Sequence, residues 1–220
     1  GPESTLDYYS GIINAFKPEY LEKGFPEIII ESLNLHAFLR MAEQNQWEEM
    51  TKILVESCEK LQRAGADFGA IASNTPHKVF YELQKQTSLP LLSIVEATYE
   101  YAKNKDAKKL CLLGTRFTMS SDFYYEIFKQ HGIELVVPQE REQDYIQVKL
   151  FAEIEFGIIK EETKQNFLNI YNRIKTEENT EGLILGCTEL PMIIKPEDIE
   201  EMYLDTTAIH IDKIIEYCRN

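Results

Sequence analysis

The chain has 220 residues, 44% of them hydrophobic and 27% charged, the composition of a globular protein large enough to bury a substantial core. A formal charge of −14 repels phosphate backbones and anionic lipid surfaces, so neither nucleic acid nor a membrane is an expected partner. Cys58, Cys111, Cys187 and Cys218 have no paired spacing, no apolar run approaches a membrane span and no signal peptide is visible; the expectation is a reducing, cytoplasmic setting without a disulfide framework or metal site.

Hydrophobic periodicity divides the chain into alternating helices and strands. Ser4 or Thr5 is placed to cap a helix running to Phe16. Glu27 to Glu31, rich in Ile, reads as a strand, followed by a solvated loop through His36 and Arg40. Trp47 to Ala64 carries Met50, Ile53, Leu54 and Leu61 at helical spacing, which puts Cys58 in a core, and Gly65 ends this helix. Phe68 to Ala72 reads as a strand with Ser73 at its tip, Pro76 to Gln86 as a helix, and Pro90 to Val95 as a strand ending near a capping Glu96. Ala97 to Asn104 is helical. Lys109 to Leu113 reads as a strand with Cys111 buried and inert, and the loop Thr115 to Thr118 follows. A helix over Phe123 to Gln130 closes at Gly132, and Ile133 to Val137 is a strand. Gln143 to Phe156 reads as a helix broken by Gly157; Lys160 precedes another helix, Glu161 to Lys175; and Thr176 to Thr180 is a polar link. Leu183 to Leu185 and Met202 to Leu204 are strands, and Thr206 to Tyr217 is the last helix. Strands alternating with helices imply an α/β fold with parallel sheets covered on both faces, whose ligands bind beyond the strands' carboxyl ends.

Two of those strand ends share one plan. Gly182-Leu183-Ile184-Leu185-Gly186-Cys187-Thr188-Glu189 and Gly69-Ala70-Ile71-Ala72-Ser73-Asn74-Thr75-Pro76 each run from an apolar strand into a small residue, then a residue with a thiol or hydroxyl, then polar residues. Ser73 and Cys187 lie 114 positions apart, and the same offset carries Gly1-Pro2-Glu3-Ser4-Thr5 onto Thr115-Arg116-Phe117-Thr118-Met119. Four loops in one register point to two homologous half-domains, each contributing two strand ends. A helix start after Cys187 would favour a thiolate there; a lone cysteine without the repeat would read as a small buried hydrophobe.

In their order and spacing, Gly-Pro-Glu-Ser-Thr at the start, Asn74-Thr75-Pro76-His77, Gly114-Thr115-Arg116-Phe117-Thr118-Met119 and Gly186-Cys187-Thr188-Glu189 resemble the aspartate/glutamate racemase family, which needs no cofactor. The resemblance covers nearly the whole chain. It implies two pseudo-symmetric doubly wound domains, 1–96 plus 206–220 and 97–205, with the active site in the interdomain cleft. It implies too that a first strand lies ahead of Gly1, that Ser73 and Cys187 face each other, and that the assembly is a homodimer. The reaction implied is removal of the Cα proton of aspartate or glutamate and its return on the opposite face, with Cys187 as a thiol acid/base and no pyridoxal phosphate. Asn74, Thr75, Thr115, Thr118, Thr188 and Glu189, with Ser4, fall on the family's substrate-binding positions. Lys160 follows a glycine in a pattern like the family's substrate-side lysine; a solvated lysine is the plainer reading. Arg116, His36 and Arg40 are the other candidates for a side-chain carboxylate.

Ser73 departs from the family, which has a second cysteine there. A thiol ionises near pH 8.5, whereas a serine hydroxyl is a far weaker acid, so a symmetric two-thiol reaction is unavailable. Ser73 is either natural, giving a slow or one-sided racemase, or an engineered replacement, or unneeded by a one-thiol reaction such as that of the related arylmalonate decarboxylases; the first is preferred. A catalytically silent amino-acid binder is the remaining alternative.

Overall fold

The first half of the chain folds through helices with one apolar stripe each. The computed structural model describes residues 2–219, and the chain divides into two units, Gly1–Ile94 with His210–Asn220, and Val95–Ile209. In the first unit, α1 (Pro2–Phe16) buries Tyr8, Ile12 and Phe16 against Ile211, Ile214 and Ile215. The single turn α2 (Tyr20–Lys23) follows, then α3 (Leu35–Glu43), where the Asn34 side chain caps the helix by accepting from the Ala37 N–H at 3.2 Å. Helix α4 (Trp47–Arg63) packs Met50, Leu54 and Cys58 on Phe38 of α3 and on Val79, Leu83 and Leu89. Gly65, at φ +100, terminates it in a conformation that a side chain would oppose. Strand β1 (Gly69–Ala70), a 3₁₀ turn over Thr75–Val79, α5 (Phe80–Gln86) and β2 (Leu91–Leu92) complete the unit; β2 runs parallel to β1 with Leu91 opposite Gly69.

Several expectations are corrected here. Ser4 lies inside α1 rather than capping it, and its hydroxyl donates to the Ala72 carbonyl at 3.1 Å. His36 and Arg40 stand exposed on α3, not in a loop. The helix expected from Pro76 is split, because the chain first winds as the tighter 3₁₀ turn. Ile94 starts a helix instead of extending β2, which places Glu96 in that helix's first turn. Glu27–Glu31 is irregular backbone, with Ile29 and Ile30 45% and 49% exposed. An extended stretch becomes a strand only when a neighbour takes its N–H and C=O groups, and among the described residues β1 pairs with β2 alone. A cavity of about 1010 Å³ lies in this unit, lined by Ile28 and Ile30, by Gly69 and Ile71, and by Tyr8 and Leu54. The strand anticipated ahead of Gly1 lies outside the described residues.

The second unit follows as α6 (Ile94–Asn104), β3 (Lys109–Gly114), α7 (Arg116–Ser120), α8 (Asp122–Gln130), β4 (Glu134–Val136), α9 (Glu140–Ala152), α10 (Glu161–Glu178), β5 (Gly182–Gly186), α11 (Leu190–Ile193), β6 (Met202–Asp205) and α12 (Thr206–Arg219), whose residues from His210 belong to the first unit. The four strands form one parallel sheet in the order β4-β3-β5-β6. Side chains alternate across it. Cys111, Leu113, Leu183 and Leu185 pack with Ile146 and Leu150 of α9, Phe167, Ile170 and Ile174 of α10, and Leu190 of α11. Leu110, Leu112 and Ile184 take the opposite face and are also fully buried. Each such side chain contributes about 1.5–3 kcal/mol. Arg173 of α10 also pairs with Glu142 of α9, at the partly exposed edge of this core.

Helix α9 stops at Ala152, short of the expected Phe156. Glu153 breaks the helical path and a 3₁₀ turn over Ile154–Phe156 follows, closed by Gly157 at φ +71. Helix α10 runs on to Glu178, absorbing most of the expected link, and ends at Asn179 at φ +55. The chain leaves β3 for β4 and returns to β3's other side as β5. At such a reversal the loops beyond the two strands part to opposite faces, where open α/β sheets bind ligands.

Candidate active site

Gly114 of β3 and Gly186 of β5 are register partners, so the loops carrying Thr115 and Cys187 leave the sheet side by side. A Cβ on Gly114 would meet the Gly186 carbonyl at 3.0 Å, and one on Gly186 would meet the Leu113 carbonyl at 3.0 Å. Both would also press on the Thr118 methyl group at 3.1 Å. Glycine is therefore what lets the two strand ends and Thr118 close together.

Cys187 is partly buried just beyond β5. Its Sγ donates to Glu189 Oε2 at 3.0 Å. Burial, and then the Glu189 carboxylate beside it, push the thiol well above its ordinary range; a backbone amide at Glu189 pulls the other way, and Glu155 on the 3₁₀ turn adds to the rise. This corrects the expected thiolate. The helix after Cys187, α11, is a single turn, and its amides do not offset burial beside two carboxylates. Glu155 is itself raised, by burial and then by Glu189. Cys111 is fully buried in β3 and its thiol is raised by desolvation, as expected of an inert core residue.

Thr115 caps α7. Its Oγ1 accepts from the Thr118 N–H at 3.2 Å and shares a hydrogen bond of 3.0 Å with Thr118 Oγ1. Thr118, with no exposed surface, seals the two strand ends, so Thr115, partly exposed, is the more available of this pair. Thr188 is partly exposed beside Cys187. Two of the candidate cations are engaged elsewhere. Arg116 pairs with Asp144 and, at 3.0 Å, with Glu140, while its N–H donates to Gln147 at 2.8 Å. Lys160, exposed at the start of α10, reaches Glu153 Oε1 at 3.0 Å. Glu153 also accepts from Lys149 at 2.6 Å and from Thr163 at 2.7 Å, and these donors, Lys149 first, hold its carboxyl down to about 2. Lys160 is thus anchored two residues along the chain from Glu155.

In the first unit, Ser73 is partly exposed beyond β1, its N–H donating to the Ile71 carbonyl at 2.8 Å. Asn74 is buried and Thr75 partly so. The buried His77 ring holds this loop. Nδ1–H donates to the Ser73 carbonyl at 2.8 Å, which leaves Nε2 to accept from the Ile94 N–H at 3.1 Å. His210, its ring centroid 6.3 Å away, is equally committed: Nε2–H donates to the Leu92 carbonyl at 3.1 Å and Nδ1 accepts from the Tyr8 hydroxyl at 2.7 Å. Burial pushes His77 down to about 3 and His210 down to about 4, so both rings are neutral at pH 7.

A pH dependence follows from these two rings. An unfolded histidine titrates near 6.5, so below that the unfolded chain binds protons that the native rings refuse. Stability from this source is complete above about pH 6.5 and falls with decreasing pH, by up to about 1.4 kcal/mol per pH unit for each ring, until the native rings titrate near 4 and 3. Urea midpoints between pH 7 and 4.5 should show a shallower fall for His77→Gln, which keeps the hydrogen-bonding groups without the titration. Identical slopes in the two proteins would refute it.

Sequence reading missed Glu155 and the two histidines' structural part. A carboxylate two residues after Cys187 was visible; Glu155, distant along the chain, left no local signal. No group of three or more His, Cys, Asp or Glu among the described residues is arranged to hold a metal ion, and no helix among them is long and apolar enough to cross a membrane.

A family model described as Asp/Glu/Hydantoin racemase matches residues 1–214. The broad specificity amino-acid racemase RacX of Bacillus subtilis (strain 168) is 27% identical over 211 residues, 94% of this chain and 90% of that protein. Among solved structures, a candidate Asp/Glu racemase from Yersinia pestis superposes with a TM-score of 0.91 at 29% identity, over 99% of this chain and 95% of that one. An aspartate racemase homologue from Pyrococcus horikoshii OT3 does so with a TM-score of 0.86 at 37% identity, over 100% and 95%. With its parallel sheets, its strand-end loops and a family match along nearly its full length, the chain belongs to the Asp/Glu/hydantoin racemase family, a family of isomerases.

Proposed function

We propose that the protein is a cofactor-independent amino-acid racemase acting on aspartate or glutamate. Cys187 is the acid/base group for one face of Cα and Ser73 the group for the other. The observation that carries this reading is the partly buried Cys187 thiol at the end of β5, hydrogen-bonded to a carboxylate rather than packed away like Cys111. The register relating Ser73 to Cys187 supports the pairing. Removing the Cα proton leaves charge that spreads into the substrate carboxylate, and amides and hydroxyls aimed at that carboxylate stabilise it. Thr115, Thr188, Asn74 and Thr75 are the candidates for that task. Because a hydroxyl and a thiol differ in acidity, the two directions differ in kcat, and KM differs in the same proportion because enantiomers have equal free energy.

The test is proton NMR in D2O with each enantiomer of aspartate and glutamate. The Cα proton signal of at least one amino acid should disappear, and long incubation from either enantiomer should end at an equal mixture, since enantiomers have equal free energy. Binding without exchange for every substrate would leave the silent-binder reading in its place. One observation favours a second reading: the Cys187 thiol donates its proton in a hydrogen bond of 3.0 Å to Glu189, and a thiol that keeps its proton can protonate a carbanion left by loss of carbon dioxide, as a one-thiol decarboxylase requires. Release of carbon dioxide from substituted malonates, without exchange in aspartate or glutamate, would identify that activity.

A further inference from the structure

Strand β1 ends at Ala70, so its ladder does not reach Ser73. Buried side chains hold the backbone there instead. The Ser4 hydroxyl of α1, 1% exposed, donates to the Ala72 carbonyl at 3.1 Å. The His77 ring, 3% exposed, donates from Nδ1 to the next carbonyl, that of Ser73, at 2.8 Å. The Ser73 N–H donates to the Ile71 carbonyl at 2.8 Å.

Resting on the racemase reading above, we propose that His77 and Ser4 are positioning residues that aim the Ser73 hydroxyl at Cα. The Ala72 and Ser73 carbonyls belong to the two peptide planes that flank the Ser73 Cα. A peptide plane is rigid, so holding both planes fixes φ and ψ of residue 73 and the direction of its Cα–Cβ bond. Only the side-chain torsion is then left to place the hydroxyl. Ser4 therefore serves the site through the backbone of residue 73, rather than as a group that binds substrate.

Histidine suits this task. A carbonyl only accepts and an amide N–H only donates, so Nδ1 carries the ring proton and Nε2 is bare to receive the Ile94 N–H at 3.1 Å. In that one neutral form the ring is a spacer of fixed length between the loop and Ile94, which opens α6. Phe80 stacks on it, with centroids 5.2 Å apart and planes 8° from parallel, and limits its rotation. Leucine would fill much of the same space and leave both backbone groups without the ring.

The fate of the carbanion tests the proposal. In D2O, with the enantiomer whose Cα hydrogen faces Cys187, the thiolate takes that hydrogen and the electron pair stays on Cα, spread into the substrate carboxylate. Deuterium then returns from one of two sides. From the thiol, once it has exchanged with solvent, the product is deuterated with retention. From the Ser73 hydroxyl, which is replenished by water, the product is the opposite enantiomer. Chiral chromatography with mass spectrometry reads the ratio of inversion to retention. A loss of folded protein slows both outcomes and leaves the ratio alone. His77→Leu should lower the ratio by up to about 10²-fold, the effect of displacing a reacting group by about 1 Å. Ser4→Ala should lower it in the same direction. His77→Asn puts an amide nitrogen where Nδ1 stands; it can still donate to the Ser73 carbonyl but leaves the Ile94 N–H unmet, so it should keep the parent ratio while losing stability. A parent-like ratio in His77→Leu or in Ser4→Ala overturns the proposal. So does a ratio that falls as far in His77→Asn as in His77→Leu, because it would then follow stability. In the unaltered protein, nitrogen-15 NMR should show the His77 ring neutral and protonated at Nδ1; a proton on Nε2 instead defeats the proposal without any variant. An unaltered protein that neither exchanges nor inverts any enantiomer would remove the racemase reading beneath it.

Discussion

Cys187→Ala is expected to lower Cα proton exchange by about 10²–10⁴-fold with every substrate enantiomer, while the fold survives. The loss should fall on kcat rather than on substrate binding, because the thiol acts on a bond that changes only in the transition state. Cys187 is partly exposed and stands beyond the end of β5, not in the sheet core, so thermal unfolding of the variant should stay close to that of the parent. Substrate should also protect Cys187 from alkylation, whereas Cys58 and Cys111, both buried, should be unreactive in either case. An alanine variant with full exchange would exclude the thiol mechanism outright.

Ser73→Cys is expected to raise racemase activity by up to about 10²–10⁴-fold and to bring the two directions closer together. The present asymmetry lies in acidity: an ordinary thiol ionises at about 8.5, and although burial raises the Cys187 thiol above that, a serine hydroxyl is by nature a far weaker acid. Little else needs to change. The Ser73 carbonyl and N–H are already held by His77 and Ile71, so a thiol would replace the hydroxyl on an anchored backbone. Initial rates from both enantiomers of aspartate and glutamate, with a malonate as a third substrate, distinguish the readings. A one-thiol decarboxylase would gain racemisation of its product without faster release of carbon dioxide. A silent binder would gain nothing. A variant that folds, binds substrate and exchanges no faster would count against a role for residue 73.

The two units were unequally legible. Strands β3 and β5 were plain in the sequence because they are central, apolar on both faces and fully buried, so their hydrophobic runs are continuous. Their glycine ends were equally plain, but the stretch after β3, read as a loop over Thr115 to Thr118, folds as the Thr115 cap and helix α7. Glu27–Glu31 looked as strand-like as either, but propensity describes a residue's fit to a ladder and does not supply the partner. The end of α9 was obscured for a different reason: its apolar spacing continues into Ile154 and Phe156, while Glu153 turns inward to a cluster assembled from Lys149, Lys160 and Thr163.

At the candidate site, sequence alone determined which residues stand at strand ends. Strand periodicity, glycine and the 114-residue register are all local or repetitive properties of the chain. It also determined the family, through motifs that keep their order. Only the tertiary structure decided the proton states and the partners. The Cys187 thiol is protonated because folding places it beside Glu189 and Glu155 in partly buried surroundings. Arg116 and Lys160 are engaged because α9 and the turn after it bring carboxylates to them. His77 is neutral because burial outweighs the hydrogen bonds that would favour its charge. Charge interactions and desolvation depend on distance in space, and residues far apart in the chain acquire that distance only when it folds.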